Sequence, residues 1–179
     1  MTKRFLHVET QEIMQENTRV NTMYRAGDKV LYPMHGAGVI QQVKSCEILG
    51  EVKDYYLLHV PCGDMEVMIP VEACDDIGVR PVGTQEEIDE AISVLGRDST
   101  ELSGNWSKRY RANTEKLKSG DIIMVAEVVR NLTRHDRVSG LSAGEKKMLS
   151  NARKILQSEI MLVTGMDEEA VLELIDNAI

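Results

Sequence analysis

A chain of 179 residues with 42% hydrophobic and 28% charged side chains can form one or two packed domains, and this composition excludes disordered and fibrous classes. No apolar run approaches membrane-spanning length, and the opening MTKRFLHVETQEIMQENTRV lacks the continuous apolar stretch of a secretory signal. The three cysteines, Cys46, Cys62 and Cys74, are odd in number and widely spaced, which fits reduced cytoplasmic thiols rather than a disulfide framework.

Residues 1–22 are polar and without clear periodicity, and read as a flexible arm; Met23 offers an alternative start. From residue 23 to 83 the chain reads as β structure. Asp28–Pro33 is a short strand stopped by proline, His35-Gly36-Ala37-Gly38 a glycine turn, and Val39–Val43 the next strand. A glycine-centred turn lies within Ile48–Asp54, and Tyr55–Val60 is rich in strand formers. Cys62-Gly63-Asp64 turns into Met65–Pro70, where Met65, Val67 and Ile69 share one face and Glu66 and Met68 the other. Short strands with glycine turns predict a small, bent β-barrel, too small to enclose an active site and suited to offering an edge or groove to a partner.

Helical signals take over from residue 84 to 179. Thr84-Gln85-Glu86-Glu87 is a capping box ahead of Ile88, Ala91, Ile92 and Leu95, and Gly96 stops that helix. Arg97–Gly104 is a polar connector. Asn105 is an N-cap for a helix beginning at Trp106 and ending near Ser119-Gly120. Asp121 opens the next, with Ile122, Val125, Ala126, Val129 and Leu132 as its buried stripe, and Arg134-His135-Asp136-Arg137 reads as a charged turn ending at Gly140. Ser142-Ala143-Gly144-Glu145 is a second capping box, starting a long helix that Gly165 ends; Asp167 caps a last acidic helix. The fold class predicted is α+β, a bent β module followed by an all-helical bundle.

The net charge of −8 hides an uneven distribution. Residues 97–154 carry 13 Lys/Arg against 7 Asp/Glu, whereas 84–96 and 155–179 hold four and six acids with no Lys or Arg. A basic middle between acidic ends implies an oriented contact with a polyanion. Within it, the only tryptophan, Trp106, has Lys108, Arg109 and Arg111 within five residues, and Tyr110 follows at i+4. Cations that neutralise phosphates beside a flat ring that stacks or wedges suit nucleic acid. A tryptophan buried in the bundle would instead leave a protein-only adaptor, working through the β module without DNA contact.

Other chemistries lack their residues. Cys46, Cys62, Cys74, His35 and His59 show no metal-ligand spacing. Gly36-Ala37-Gly38 lacks the lysine and helix of a phosphate loop, and Glu86-Glu87 is explained by a cap. No enzyme activity, cofactor, metal or membrane association is expected, and no dimer-forming heptads or helix-turn-helix pair stand out, so the free chain is expected to be a monomer.

Taken together, Gly27-Asp28, Tyr32-Pro33, His35-Gly36-Ala37-Gly38 and Met68-Ile69-Pro70 are followed by Trp106-Ser107-Lys108-Arg109-Tyr110-Arg111, then by Ala126-Glu127-Val128-Val129-Arg130-Asn131-Leu132, then by Leu141–Leu149. In this order they resemble the CarD/CdnL family of bacterial RNA polymerase-binding transcription regulators. The resemblance covers residues 23–163 and implies a Tudor-like domain that docks on the polymerase β subunit, and a helical domain that touches promoter DNA at the upstream edge of the transcription bubble. It implies that Trp106 is a minor-groove wedge, with Lys108, Arg109, Arg111 and Lys146 at phosphates. Some relatives carry arginines on the polymerase-facing strands; Cys46 and Met68 stand there in this chain, so an apolar or backbone-mediated contact through Cys46, Ile48, Met68 and Pro70 is expected.

Overall fold

The computed structural model describes residues 23–48, 50–100 and 104–179; the arm expected over residues 1–22 and the side chain of Ile48 lie outside the described residues. Five strands, β1 (Lys29–Tyr32), β2 (Gly36–Ile48), β3 (Glu51–Val60), β4 (Met65–Pro70) and β5 (Arg80–Pro81), form one antiparallel sheet in the order β4-β3-β2-β1-β5. Six α-helices are described: the short α1 (Cys74–Ile77), then α2 (Gln85–Gly96), α3 (Trp106–Lys118), α4 (Ile122–Ser139), α5 (Ala143–Thr164) and α6 (Glu168–Ala178). The architecture is α+β, a Tudor-like β module followed by a helical bundle. No helix among the described residues is long and apolar enough to cross a membrane.

Gly36-Ala37-Gly38 is not the expected turn. The chain reverses over Pro33-Met34-His35, with Met34 at a φ of 69°, and the glycines open β2. An ideal Cβ on Gly38 would lie 2.5 Å from the His59 carbonyl oxygen, and one on Gly36 would lie 2.8 Å from Ser158 Oγ. These glycines therefore serve close approach, of β3 at one and of α5 at the other. A register shift between Ile40 and Gln42 bends the β2–β3 pair. One face of the sheet buries Val30, Ile40, Tyr56, Leu58, Val60 and Ile69 with Tyr24, Cys62, Cys74 and Val79. Burial raises both thiols there, that of Cys74 to about 11 with Asp75 adding to the effect.

In the bundle, both capping boxes form, at Thr84/Glu87 and Ser142/Glu145. The turn expected at residues 134–137 is helix instead, and α4 runs on to Ser139. Arg134 explains this: its guanidinium crosses to the carbonyls of Leu95 and Arg97, so it closes the C-terminal end of α2 rather than breaking α4. The run Arg134-His135-Asp136-Arg137 contains neither glycine nor proline, so it carries no stop signal of its own.

The β module and the bundle are not separate bodies. Leu31 and Ala37 belong to the same buried cluster as Ile88, Leu117, Val129, Ile155 and Ile160. A polar clamp on α5 secures the contact. Glu159, 0% exposed, accepts from Arg80 Nη1 at 2.7 Å and Nη2 at 3.1 Å, and from the Gly83 N–H at 2.8 Å. Arg80 also donates to the Gly120 carbonyl through Nε at 3.0 Å and Nη2 at 2.6 Å. Beside it, Ser158 Oγ accepts from the Ala37 N–H at 2.8 Å, Lys29 Nζ donates to the Leu162 carbonyl at 2.7 Å, and Asn151 Nδ2 donates to the Met34 carbonyl at 3.1 Å.

Removing one partner of a buried ion pair leaves an uncompensated charge. Arg80→Ala is expected to lower stability by about 3 kcal/mol or more, and urea unfolding of the wild type is expected to be one cooperative transition for sheet and bundle together. Separate transitions for the two parts in the wild type would contradict the clamp.

Candidate nucleic-acid interface

Asn105 has extended backbone and its side chain accepts from the Lys108 N–H at 3.1 Å, so α3 begins with Trp106 as its first residue. Trp106 is 47% exposed, although it is the largest apolar side chain in the protein. It is nevertheless held. Its Nε1–H donates to Ser142 Oγ at 2.9 Å, and its ring lies 5.4 Å from that of Tyr110 at an interplanar angle of 31°. Both rings lie against Gly144, where an ideal Cβ would be 3.6 Å from Tyr110 and 3.8 Å from Trp106.

Ser142 is the N-cap of α5, and its hydroxyl donates to Glu145 Oε2 at 2.8 Å. Glu145 is 2% exposed and accepts from Arg109 Nε at 2.6 Å on its other oxygen. Arg109, expected at a phosphate, has a side chain only 10% exposed that joins α3 to α5 in a nearly buried ion pair. Burial pushes the Glu145 carboxyl up, but hydrogen bonds from Arg109 and Ser142 outweigh it and hold its pKa below the ordinary 4.5.

Lys108 and Arg111 are exposed and, with Ser107, Ala112 and Glu115, line a shallow depression on α3. They are not on the tryptophan's face. At about 100° per residue, Tyr110 lies about 40° round the helix from Trp106, whereas Lys108 and Arg111 lie about 160° and 140° away. Lys146 is exposed in the first turn of α5, one turn from Ser142, with Lys147 beside it. Arg137, exposed in the last turn of α4, is a further cation that the sequence pattern hid inside an apparent turn. Among the described residues, no group of His, Cys, Asp and Glu is placed to hold a metal ion.

Three of the candidate polymerase-facing residues share one face of the sheet. Cys46 pairs with Lys53, Met68 with Leu57 and Pro70 with Tyr55, so Cys46, Met68 and Pro70 share one side with Tyr55 and Leu57 between them. Met68 is 45% exposed, and Cys46 and Pro70 are half-buried. Ile48 pairs with Glu51 at the far end of the β2–β3 hairpin. Tyr55 and Leu57 were missed as candidates, although their alternation with the buried Tyr56 and Leu58 is the signal that places them outward.

The sequence of the β module, residues 24–83, matches the CarD-like/TRCF RID domain, and residues 90–176 match the CarD C-terminal domain. The chain is also similar to the putative transcription factor YdeB of Bacillus subtilis (strain 168), 36% identical over 149 residues that span 83% of this chain and 97% of that protein. The chain belongs to the CarD family. Membership makes it a CarD-type transcription regulator that interacts with RNA polymerase, with the β module as its RID domain.

A carboxyl whose folded pKa is depressed contributes stability above its unfolded value and loses it as pH falls through the folded one. Fluorescence of Trp106, the single tryptophan, is therefore expected to stay constant from about pH 8 to 5 and to change only below the ordinary carboxylate value as Glu145 takes a proton. Glu145→Gln should abolish that transition; a transition centred near neutral pH would contradict the assignment.

Proposed function

We propose that this CarD-family chain docks on the β subunit of RNA polymerase through the β4 edge of its sheet and the face that carries Met68, and from there presents Trp106 to promoter DNA at the upstream edge of the melted bubble. The observation that carries the proposal is the state of Trp106, half exposed yet fixed at two points. An indole placed this way fits the wedge role and removes the condition under which a protein-only adaptor would be the better reading. Unstacking a base step costs a few kcal/mol, so a ring that fills an already distorted junction favours the melted state without reading sequence. It shifts the closed-to-open equilibrium only by its differential affinity for the two states.

DNA meets α3 end-on. Its first turn contains no acid and presents the positive end of the helix dipole. A duplex wider than the helix then passes Trp106 at the tip, with Lys108 and Arg111 on one flank of α3 and Lys146, Lys147 and Arg137 on the other. Arg109 is a structural residue in this scheme, because its charge is already used by Glu145. The acids of α2 and α6 keep the remaining surface off the DNA and orient the contact.

On the polymerase side, β4 is the outermost strand of the sheet, so its outer edge can add an extended strand of the β subunit. Met68, Leu57, Tyr55, Pro70 and Cys46 supply an apolar patch beside that edge. Contact of this kind depends on shape and burial more than on salt.

Trp106→Ala is expected to leave polymerase capture unchanged and to shorten the open-complex lifetime by the worth of one base–aromatic contact, about 1–3 kcal/mol. Lifetimes equal to those with the wild type would contradict the wedge. Met68→Asp places a charge in the apolar patch, and pull-down of the polymerase β subunit should fall to background. Capture at wild-type levels would refute this docking face.

A further inference from the structure

Two segments far apart in the chain, Trp106-Ser107-Lys108-Arg109 and Ser142-Ala143-Gly144-Glu145, meet in one hydrogen-bonded unit. Only the first of them would touch DNA. We infer that Glu145 is a positioning residue for Trp106: with Arg109 it orients the Ser142 hydroxyl so that the indole is locked with one face outward, which matters for DNA on the proposed reading of Trp106 as the wedge.

A serine hydroxyl has one proton and two acceptor lone pairs. At Ser142 all three are used. The proton goes to Glu145 Oε2 at 2.8 Å, and the oxygen accepts from the Glu145 backbone N–H at 3.3 Å and from Trp106 Nε1–H at 2.9 Å. The indole N–H can only donate, so it is accepted only while the hydroxyl proton points elsewhere. An ionised carboxylate, an acceptor with no proton, ensures this. Arg109 Nε at 2.6 Å on Oε1 and the Ser142 N–H at 3.2 Å on Oε2 keep that carboxylate from turning. Glu145 is 2% exposed, so water does not compete for these positions. The second contact, with Tyr110, fixes the ring's tilt. A ring held in this way is ready before DNA arrives and has less rotamer freedom left to lose on contact. The capping box at the start of α5 thus orients the tip of α3.

The test compares Ser142→Gly, Ser142→Thr, Glu145→Gln and Thr84→Gly. Glycine remains an acceptable N-cap, so Ser142→Gly removes the indole's acceptor with little loss of helix stability. Thr84→Gly removes the corresponding cap of α2 and controls for general loosening. Acrylamide quenching and anisotropy decay of Trp106 read the ring in the free protein, and open-complex lifetime reads its effect. Ser142→Gly and Glu145→Gln are expected to lower the ratio of held to free indole roughly fivefold, the scale of one lost hydrogen bond, and to shorten the lifetime. Ser142→Thr should restore both readouts, and Thr84→Gly should move neither. An indole as rigid in Ser142→Gly and Glu145→Gln as in the wild type overturns the inference. A loosened ring with unchanged lifetime, where Trp106→Ala does shorten it, overturns the functional part. If Trp106→Ala itself leaves the lifetime unchanged, the wedge reading fails, and the fluorescence of the free protein still decides the positioning.

Discussion

A carboxylate with no exposed surface, Glu159 on α5, fixes how the two halves of this protein meet. Arg80 on β5 grips it with two donors and the Gly83 N–H supplies a third. Arg80 in turn reaches the Gly120 carbonyl between α3 and α4, so one guanidinium touches the sheet, the long helix and the turn that follows the tryptophan helix. Docking geometry follows from this node. The glycines of β2 let α5 approach the sheet, and Ser158, the neighbour of Glu159, bonds the strand that carries them. Leu31 and Ala37 then complete the helical core from the β side.

α5 thereby acts as a rod with a job at each end. Ser142 and Glu159 are seventeen positions apart, about 25 Å along a straight helix. Its C-terminal half is bonded to the β module, and its N-terminal turn holds Trp106 through Ser142 and Arg109 through Glu145. On the proposed function, a regulator that stabilises a melted junction from a remote docking site must present its contact group at a set distance. A flexible tether would dissipate the differential affinity in ordering entropy. Here a continuous helix, pinned by buried polar groups at both ends, sets that distance.

Much of this fold was legible in the sequence because it is written locally. Both capping boxes, the Asn105 and Asp121 caps and the stop at Gly165 are short-range patterns, and each sits where its side-chain chemistry requires. What the sequence hides are contacts between residues far apart in the chain, many made by long charged side chains. Arg80 and Glu159 are 79 residues apart and look like two surface charges until folding joins them. Arg109 stands in a run of cations, and its partner Glu145, 36 residues on, is not visible from that run. Arg134 lies in a charged run that reads as a turn, and its purpose is visible only when α2 ends beside it. Gly36 and Gly38 carry the turn signature in sequence, but the neighbours that demand them, Ser158 and His59, come from elsewhere in the chain.

The central claim is that Trp106 lies against unpaired promoter DNA when the β module is docked on polymerase. A 2-aminopurine at the upstream edge of the bubble, read in the open complex with and without this protein, tests it most directly. Stacking by the indole should quench the probe when the wild type is added, and Trp106→Leu should leave it bright while still joining the complex. Equal emission with the two proteins would contradict the account.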